Sequence, residues 1–186
     1  TLNFDGSTAG VAGSQCFVLL AGSGISAFSG TWVLSDLQAD GGTASYGQNV
    51  INLTAHDWYV LGGTHTIAYS TTALVSGGNF YIGGGTVYMQ RGHAGKIFVS
   101  GNGVLVIDAQ FQTFAEIEIS GNGSVIIYNS GTITTLRAIS GSLNMLTPGR
   151  PITITTLKHA KPCRILLSPT VTITNKNRIG IGADGL

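Results

Sequence analysis

The feature that most constrains the fold of this chain is a repeat of about twenty residues in its second half. Three segments align when the sequence is written from residue 100: SGNGVLVIDAQFQTFAEIEI (100–119), SGNGSVIIYNSGTITTLRAI (120–139) and SGSLNMLTPGRPITITTLKH (140–159). The motif SGNG opens the first two segments, and TITTL recurs at Thr132–Leu136 and Thr153–Leu157. Self-similarity at such a period is typical of stacked coils, in which each repeat buries its apolar face against its neighbours.

Each repeat carries two runs in which apolar and polar residues alternate, such as SVIIYN and TITTLRAI. Alternation at period two predicts half-buried strands, and the Gly/Asn/Ser clusters between them predict turns. Ile133, Ile154 and Ile173 are expected to point inward, each flanked by outward threonines. The pattern predicts an all-β parallel β-solenoid (β-helix) with coils of about 20 residues. The alternative is an antiparallel β-sandwich or jelly roll, which gives no reason for the near-identity of SGNG and TITTL between repeats.

The first half of the chain repeats more loosely, with a glycine cluster at the same phase in 40–60, 61–80 and 81–99. We therefore expect about seven to eight coils over residues 20–175. Residues 1–19 are predicted to form an N-terminal capping segment and residues 176–186 a C-terminal tail or cap. Caps are expected because the ends of a solenoid are open sheet edges.

Composition supports a folded chain with few charges. Of the 186 residues 9% are charged and 43% are hydrophobic, which is enough to bury a core. No apolar run approaches the length of a membrane span, so none is expected. The N-terminus lacks secretory-signal features, so either the chain is not exported or a leader has been removed; Thr1 suits loss of an initiator Met, which favours the first option. Cys16 and Cys163 match no zinc or redox spacing and are expected to be free thiols.

Charge is distributed unevenly along the chain. Four aspartates precede the first basic residue, Arg91, and all nine lysines and arginines lie from that position onward. On a rod this predicts an acidic half and a basic end used in docking. The predicted basic end comprises Arg150, Lys158, Lys161, Arg164, Lys176 and Arg178. No aromatic residue is interleaved with these bases, so nucleic-acid binding is not expected.

Catalytic and metal-binding patterns are weak. The histidines, His56, His65, His93 and His159, are scattered without ligand spacing, so neither a metal nor another cofactor is expected. Glu116 and Glu118 share a strand face, and Asp108 is placed on a facing strand of the same coil, which makes them the best acidic cluster for glycoside cleavage. Solvated charges on an exposed face are the favoured interpretation, and no nucleophile-elbow motif occurs. We expect no enzyme.

Two further patterns concern surfaces. Three T-x-T pairs repeat with the coil and are expected to stack into a threonine ladder: Thr132 and Thr134, Thr153 and Thr155, Thr172 and Thr174. This resembles the arrays of ice-binding solenoids, although threonine is also simply favoured on outward strand positions. Residues 58–90 carry no charged side chain, which is expected of a core or of a subunit interface. We predict a cyclic homotrimer contact that includes Trp58, Tyr59, Phe80, Tyr81 and Tyr88.

The run TITTLRAISGSLNM (132–145) resembles the Thr/Gly/Ser-rich repeats of bacteriophage virion proteins that build β-solenoid spikes, fibres and head-decoration parts. The resemblance covers about residues 95–175. It implies a homotrimer that assembles in the host cytoplasm and attaches in the virion to the major capsid protein or another virion protein. The chain departs from tailspikes in having no long insertion for a glycan cleft. The predicted function is thus a non-enzymatic capsid decoration, cement or spike protein.

Two alternatives remain at this point. The first is a host-surface-binding fibre or adhesin module, located outside the cell and binding a host-surface glycan. The second is an ice-binding solenoid, for which the threonine ladder is the supporting pattern.

Overall fold

The computed structural model describes the backbone of seven strands within residues 4–53, and it describes residues 58–67, 79–90, 92–108, 112–146 and 149–179 in full. Every regular element in these parts of the chain is a β-strand. Among the described residues there is no helix long and apolar enough to cross a membrane.

The strands follow one another in short succession along the chain. Their bounds are β1 Phe4–Ala9, β2 Cys16–Leu19, β3 Gly24–Ile25, β4 Phe28–Leu34, β5 Asp36–Ala39, β6 Thr43–Tyr46, β7 Ile51–Leu53, β8 Trp58–Val60, β9 Thr64–Ile67, β10 Phe80–Ile82, β11 Thr86–Met89, β12 His93–Val99, β13 Val104–Ile107, β14 Gln112–Ile119, β15 Ser124–Ile127, β16 Gly131–Ala138, β17 Ser142–Met145, β18 Ile152–His159, β19 Arg164–Leu167 and β20 Val171–Arg178.

Two large parallel sheets contain most of these strands. The nine-stranded sheet has the order β2-β5-β8-β10-β12-β14-β16-β18-β20, and the eight-stranded sheet has the order β3-β6-β9-β11-β13-β15-β17-β19. A small sheet of β1, β4 and β7 completes the described part. From β8 to β19 each turn of the chain gives one strand to each large sheet. The fold is the predicted parallel β-solenoid with coils of about 20 residues, and the parallel pairing of every described strand excludes the antiparallel sandwich or jelly roll.

The core consists of rows of side chains that stack from turn to turn. One row of the nine-stranded sheet contains Ile97, Ile117, Leu136 and Leu157, which are register partners in sequence and all 0% exposed. The eight-stranded sheet contributes a matching row of Val87, Leu105, Val125 and Leu143. Burial of one such side chain stabilises the fold by about 1.5–3 kcal/mol. Because every turn supplies each row, the core is continuous along the axis.

The predicted inward isoleucines are confirmed. Ile133 and Ile154 are buried and pair in register, and Ile173 is partly buried and packs against the same core. The next inward residue after Ile133 is Leu136, three positions on, and strand pairing is interrupted at Thr134. Alternation at period two slips by one residue there, so the long strand bends.

Backbone packing at one corner explains the repeated motif SGNG. Gly101 and Gly121 have φ of 54° and 57°, in the left-handed region that favours glycine. The second glycine of the motif is required by close approach, since a Cβ on Gly123 would lie 2.4 Å from the carbonyl oxygen of Val99. The amide of Asn122 donates to the carbonyl of Gly101 in the turn before, at 3.0 Å. The motif therefore recurs because its backbone stacks on itself.

Candidate interaction surfaces

One row of outward side chains crosses the nine-stranded sheet from β8 to β18, and we call it the outer row. Register pairing places its six residues in line: Tyr59, Tyr81, Phe98, Glu118, Arg137 and Lys158. The first three are aromatic and the last three are charged. The outer row is therefore an aromatic surface that continues directly into a charged one.

The aromatic half of the outer row is a stack of parallel rings. The ring centroids of Tyr59 and Tyr81 are 5.0 Å apart with 8° between their planes, and those of Tyr81 and Phe98 are 4.7 Å apart with 2° between planes. The two faces of the middle ring, Tyr81, are thus covered by its neighbours, and the surface of the stack is formed by ring edges. Such an arrangement offers solvent an apolar strip with polar hydroxyl tips.

Glu118 in the charged half is bound by Lys96, which lies on the same strand as Phe98 but outside the outer row. The Nζ of Lys96 lies 3.1 Å from Oε1 of Glu116 and 3.1 Å from Oε2 of Glu118, and Nε of Arg137 lies 3.4 Å from the same Glu118 oxygen. The Lys96 ammonium also lies 4.4 Å from the centroid of the Phe98 ring, in cation–π geometry. Burial alone would lower the pKa of Lys96, but the hydrogen bonds and charges of Glu116 and Glu118 outweigh it and raise this pKa.

The three carboxylates of the candidate acidic cluster have different binding partners. Glu116 and Glu118 lie on one outer strand face, as predicted, and both are bound by Lys96. Asp108 follows β13 and accepts a hydrogen bond from Nδ2 of Asn129 in the next turn. All three carboxylates are thus held in structural contacts on the surface of the coil. The arrangement suits cross-strand stabilisation.

Two of the five predicted interface residues are in the wrong place for an interface. Trp58 and Phe80 are 0% and 2% exposed, and their rings pack against each other in the core with centroids 4.4 Å apart. Strand alternation explains this correction. In the runs WYV and FYI the first and third residues point into the core, and only the central tyrosine points outward. Tyr59 and Tyr81 remain on the surface, in the outer row.

Tyr88 is also on the surface but on a different side of the coil. It lies on β11 of the eight-stranded sheet and is 41% exposed. Its register partners are Thr66 and Val106. The outward tyrosines of the predicted interface therefore belong to two faces, with Tyr59 and the half-buried Tyr81 on one and Tyr88 on the other.

The predicted basic residues form two groups. Arg150, Lys158 and Arg164 lie on the outside of the last turns, with Lys158 in the outer row. Lys176 and Arg178, by contrast, lie on β20 in register with Leu157 and His159, the last residues of two core-facing rows. Lys161 lies in the turn after β18. The last described strand, β20, therefore carries exposed cations in register with residues of the core-facing rows.

These residues surround a cavity of about 440 Å³ at the C-terminal end of the solenoid, which we call the end cavity. Its lining combines apolar residues with basic ones: Leu157, Ala160, Cys163, Ile165 and Leu167 with His159, Lys161, Lys176 and Arg178. Burial raises the pKa of the Cys163 thiol, so the neutral thiol is favoured there. The combination of apolar wall and basic rim suits a ligand that is both apolar and anionic.

The predicted threonine ladder is present in part as two rows. Thr132, Thr153 and Thr172 pair in register, and Thr113 extends this row by one strand. The sequence pattern missed Thr113 because its strand reads QTF rather than T-x-T. Thr134, Thr155 and Thr174 occupy the position at which strand pairing is interrupted. The second row therefore follows the bend of the strands.

The histidines are structural in three different ways. His65 is buried, and its Nε2–H donates to the carbonyl oxygen of Gly62 at 3.0 Å. Burial lowers the pKa of His65, against the hydrogen bond to Gly62, which raises it. His93 is buried with its ring edge-on to Phe80, and His159 lines the end cavity.

Among the fully described residues no group of three His, Cys, Asp or Glu side chains is placed to hold a metal ion. His56 and the side chain of Cys16 lie outside the described part of the chain.

Comparison of the chain with protein-family models, with curated proteins and with solved structures finds no match. The functional argument therefore rests on the surfaces of the solenoid itself.

Proposed function

We propose that this protein is a non-enzymatic structural component of a virion, a self-associating rod that decorates a capsid or forms part of a spike. The observation that carries the proposal is the outer row, in which a half-exposed aromatic stack continues into a charged row on one sheet face. The proposed assembly is a homotrimer, and the proposed partner is the major capsid protein or another virion protein.

The fold supports a mechanical role. Parallel strands hydrogen-bond from turn to turn, so the backbone is cross-linked along the whole axis of the described solenoid. Continuous aliphatic rows fill the interior between the two sheets. Such a coil is a stiff spacer, which is what a decoration or spike protein requires.

The outer row supports self-association through the nine-stranded sheet. Tyr59 is 37% exposed although it belongs to an apolar stack, and tyrosine is enriched in the buried centres of protein interfaces. In a cyclic assembly each copy presents this face to the next one. The charged half, with Glu118, Arg137 and Lys158 in line, would fix the register between copies through complementary contacts.

The same geometry bears on the alternative of glycan binding. Aromatic platforms bind sugars through exposed ring faces, whereas both faces of Tyr81 are covered by Tyr59 and Phe98. The stack thus favours a protein partner over a glycan.

Native mass spectrometry of the purified full chain tests the proposal. We expect a trimer for the unmodified protein and a monomer for Tyr81→Glu, because a carboxylate in the middle of the stack would be buried without a partner. Tyr128→Glu is the matched control, since Tyr128 is 49% exposed and lies outside the outer row. Circular dichroism verifies that both variants keep the β-solenoid fold. A monomeric unmodified chain, or a trimer that survives Tyr81→Glu, contradicts the proposed assembly.

The virion role itself is tested by immunogold labelling of virus particles purified from the source material. Labelling at regular positions on capsids or tails is the expected result. Labelling confined to cell surfaces would contradict it and support the adhesin alternative.

A further inference from the structure

We infer that the end cavity is a binding site for an extended acidic peptide segment of a partner chain. The segment would lie along β20, with apolar side chains against the floor of the cavity and carboxylates at Lys176 and Arg178. This inference deepens the proposed function. It rests on that function only in taking the partner to be a virion protein.

The core-facing rows change abruptly at β20, the last described strand. Ile97, Ile117, Leu136 and Leu157 fill one row in four successive turns, and the fifth position is Lys176. The neighbouring row passes through Ile119, Ala138 and His159 and ends in Arg178. Two positions in register with buried side chains of earlier turns, such as Leu136 and Ala138, thus carry exposed cationic side chains on β20.

Lys176 and Arg178 are exposed, and charges on an edge strand also protect a sheet edge against aggregation, a role that is compatible with binding. Edge protection alone, however, does not account for the apolar wall beside the charges. Ile165 and Leu167 pack against the core but are only partly buried, and they line the end cavity together with Leu157. The site therefore combines apolar surface to be covered with cations to be neutralised.

The nine-stranded sheet ends, in the described part of the chain, at β20. Among the described strands β20 pairs only with β18, and β19 pairs only with β17. An extended peptide can add to such an edge, with its backbone paired and its alternate side chains directed inward. A fatty acid would meet the apolar wall and the basic rim but would leave the strand edge unpaired. The edge thus favours a peptide over a lipid.

The register of β20 specifies the pattern of the bound segment. The positions of β20 that continue the core rows are Val171, Ile173, Lys176 and Arg178. A parallel strand added to this edge meets them with side chains at the same spacing. The complementary pattern is apolar-x-apolar-x-x-acidic-x-acidic, with polar residues at the positions between, as in the VTITNKNR sequence of β20 itself.

The test uses a fluorescein-labelled peptide, VTITNENE, and the full chain, with fluorescence anisotropy as the readout. We expect saturable binding that weakens by about tenfold in the double variant Lys176→Ser, Arg178→Ser, since two exposed charge pairs are lost. The matched control is Arg150→Ser, Lys158→Ser, which removes the same charge from the outer surface and should change the affinity less than about twofold. The peptide VTITNKNR should not bind.

Protection of Cys163 localises the binding. In a Cys16→Ser background, the bound VTITNENE peptide should slow alkylation of Cys163, which lines the end cavity. Absence of peptide binding, equal binding to the two double variants, or unchanged alkylation each overturns the inference. Displacement of the peptide by oleate at equal affinity for both double variants would also overturn it, in favour of a lipid.

The outcomes separate this inference from the proposed assembly. A monomeric chain that binds the peptide leaves the end site standing and removes the trimer. A trimer that does not bind the peptide removes only the end site.

Discussion

Lys96 is salt-bridged to Glu118 of the next turn, with Nζ 3.1 Å from Oε2, and it lies over the Phe98 ring of its own strand. The contact joins the aromatic half of the outer row to its charged half. A cation at this point is attracted by the π face on one side and by two carboxylates on the other. Lys96 therefore links the aromatic and the charged part of this face.

Replacement of Lys96 by Met should lower the free energy of unfolding by about 1 kcal/mol, because an ion-pair network of partly exposed groups is screened by water. The stabilisation rests on a raised pKa, so it is fully present below the ordinary lysine value of about 10.4 and is lost as the pH rises through the folded value. Urea denaturation at pH 8 and at pH 11.5 measures both effects. Lys161→Met, in an exposed turn, is the control, and an equal loss in the two variants would contradict the assignment.

The glycine corner gives a second prediction. In Gly123→Ala the new methyl would meet the carbonyl of Val99 at 2.4 Å, and we expect a loss of about 3 kcal/mol or more, or failure to fold. Gly149 also has positive φ, at 74°, but no atom of the described residues lies within 4 Å of its Cβ position, so Gly149→Ala should cost only about 1 kcal/mol. Thermal unfolding monitored by circular dichroism compares the two. Equal losses would show that backbone contact does not control this corner.

Acid sensitivity should arise in part from His65. Its pKa is lowered in the folded protein, so its neutral form stabilises the fold above the ordinary value of about 6.5, and this stability is lost as the pH falls. Urea midpoints at pH 7.5 and pH 5 should therefore converge in His65→Val, which places an aliphatic residue next to its register partner Val87. Thr64→Val, on the exposed side of the same strand, should keep the full pH dependence. An unchanged pH slope in His65→Val would contradict this prediction.

The threonine rows are tested by nanolitre osmometry. We expect no thermal hysteresis, because the row of Thr134, Thr155 and Thr174 lies where strand pairing is interrupted and thus does not extend a regular paired surface. Hysteresis that is present in the unmodified chain and lost in Thr153→Tyr would contradict this and support ice binding.

The period of about twenty residues in the sequence was sufficient to predict the parallel β-solenoid fold. The spacing of Ile133, Ile154 and Ile173 and the recurrence of SGNG each follow from stacking between turns, so they are visible in one chain. The placement of Trp58 and Phe80 could also have been predicted, since strict alternation in WYV and FYI directs them inward. The lack of charge in residues 58–90 was a weaker guide to which side chains are exposed than the period-two pattern was.

The surfaces were less predictable because they depend on register between distant segments. Contact of Lys96 with Glu116 and Glu118 requires β12 to pair with β14 at one offset, and the local sequence does not specify that offset. The register of Lys176 with the core residue Leu157 could be inferred only by aligning TNKNR with TTLKH across the bend. The end cavity depends on both sheets at once, so no single segment reveals it.

The continuous side-chain rows have a consequence for how such a protein can change its length. The links between strands differ in length from turn to turn, but within a strand one residue too many would move every later side chain of that strand to the opposite face. Loss of residues 120–139 would join Ile119 to Ser140, remove one turn and shorten the coil by about 4.8 Å. Related proteins built on this coil are therefore expected to differ in length by whole turns.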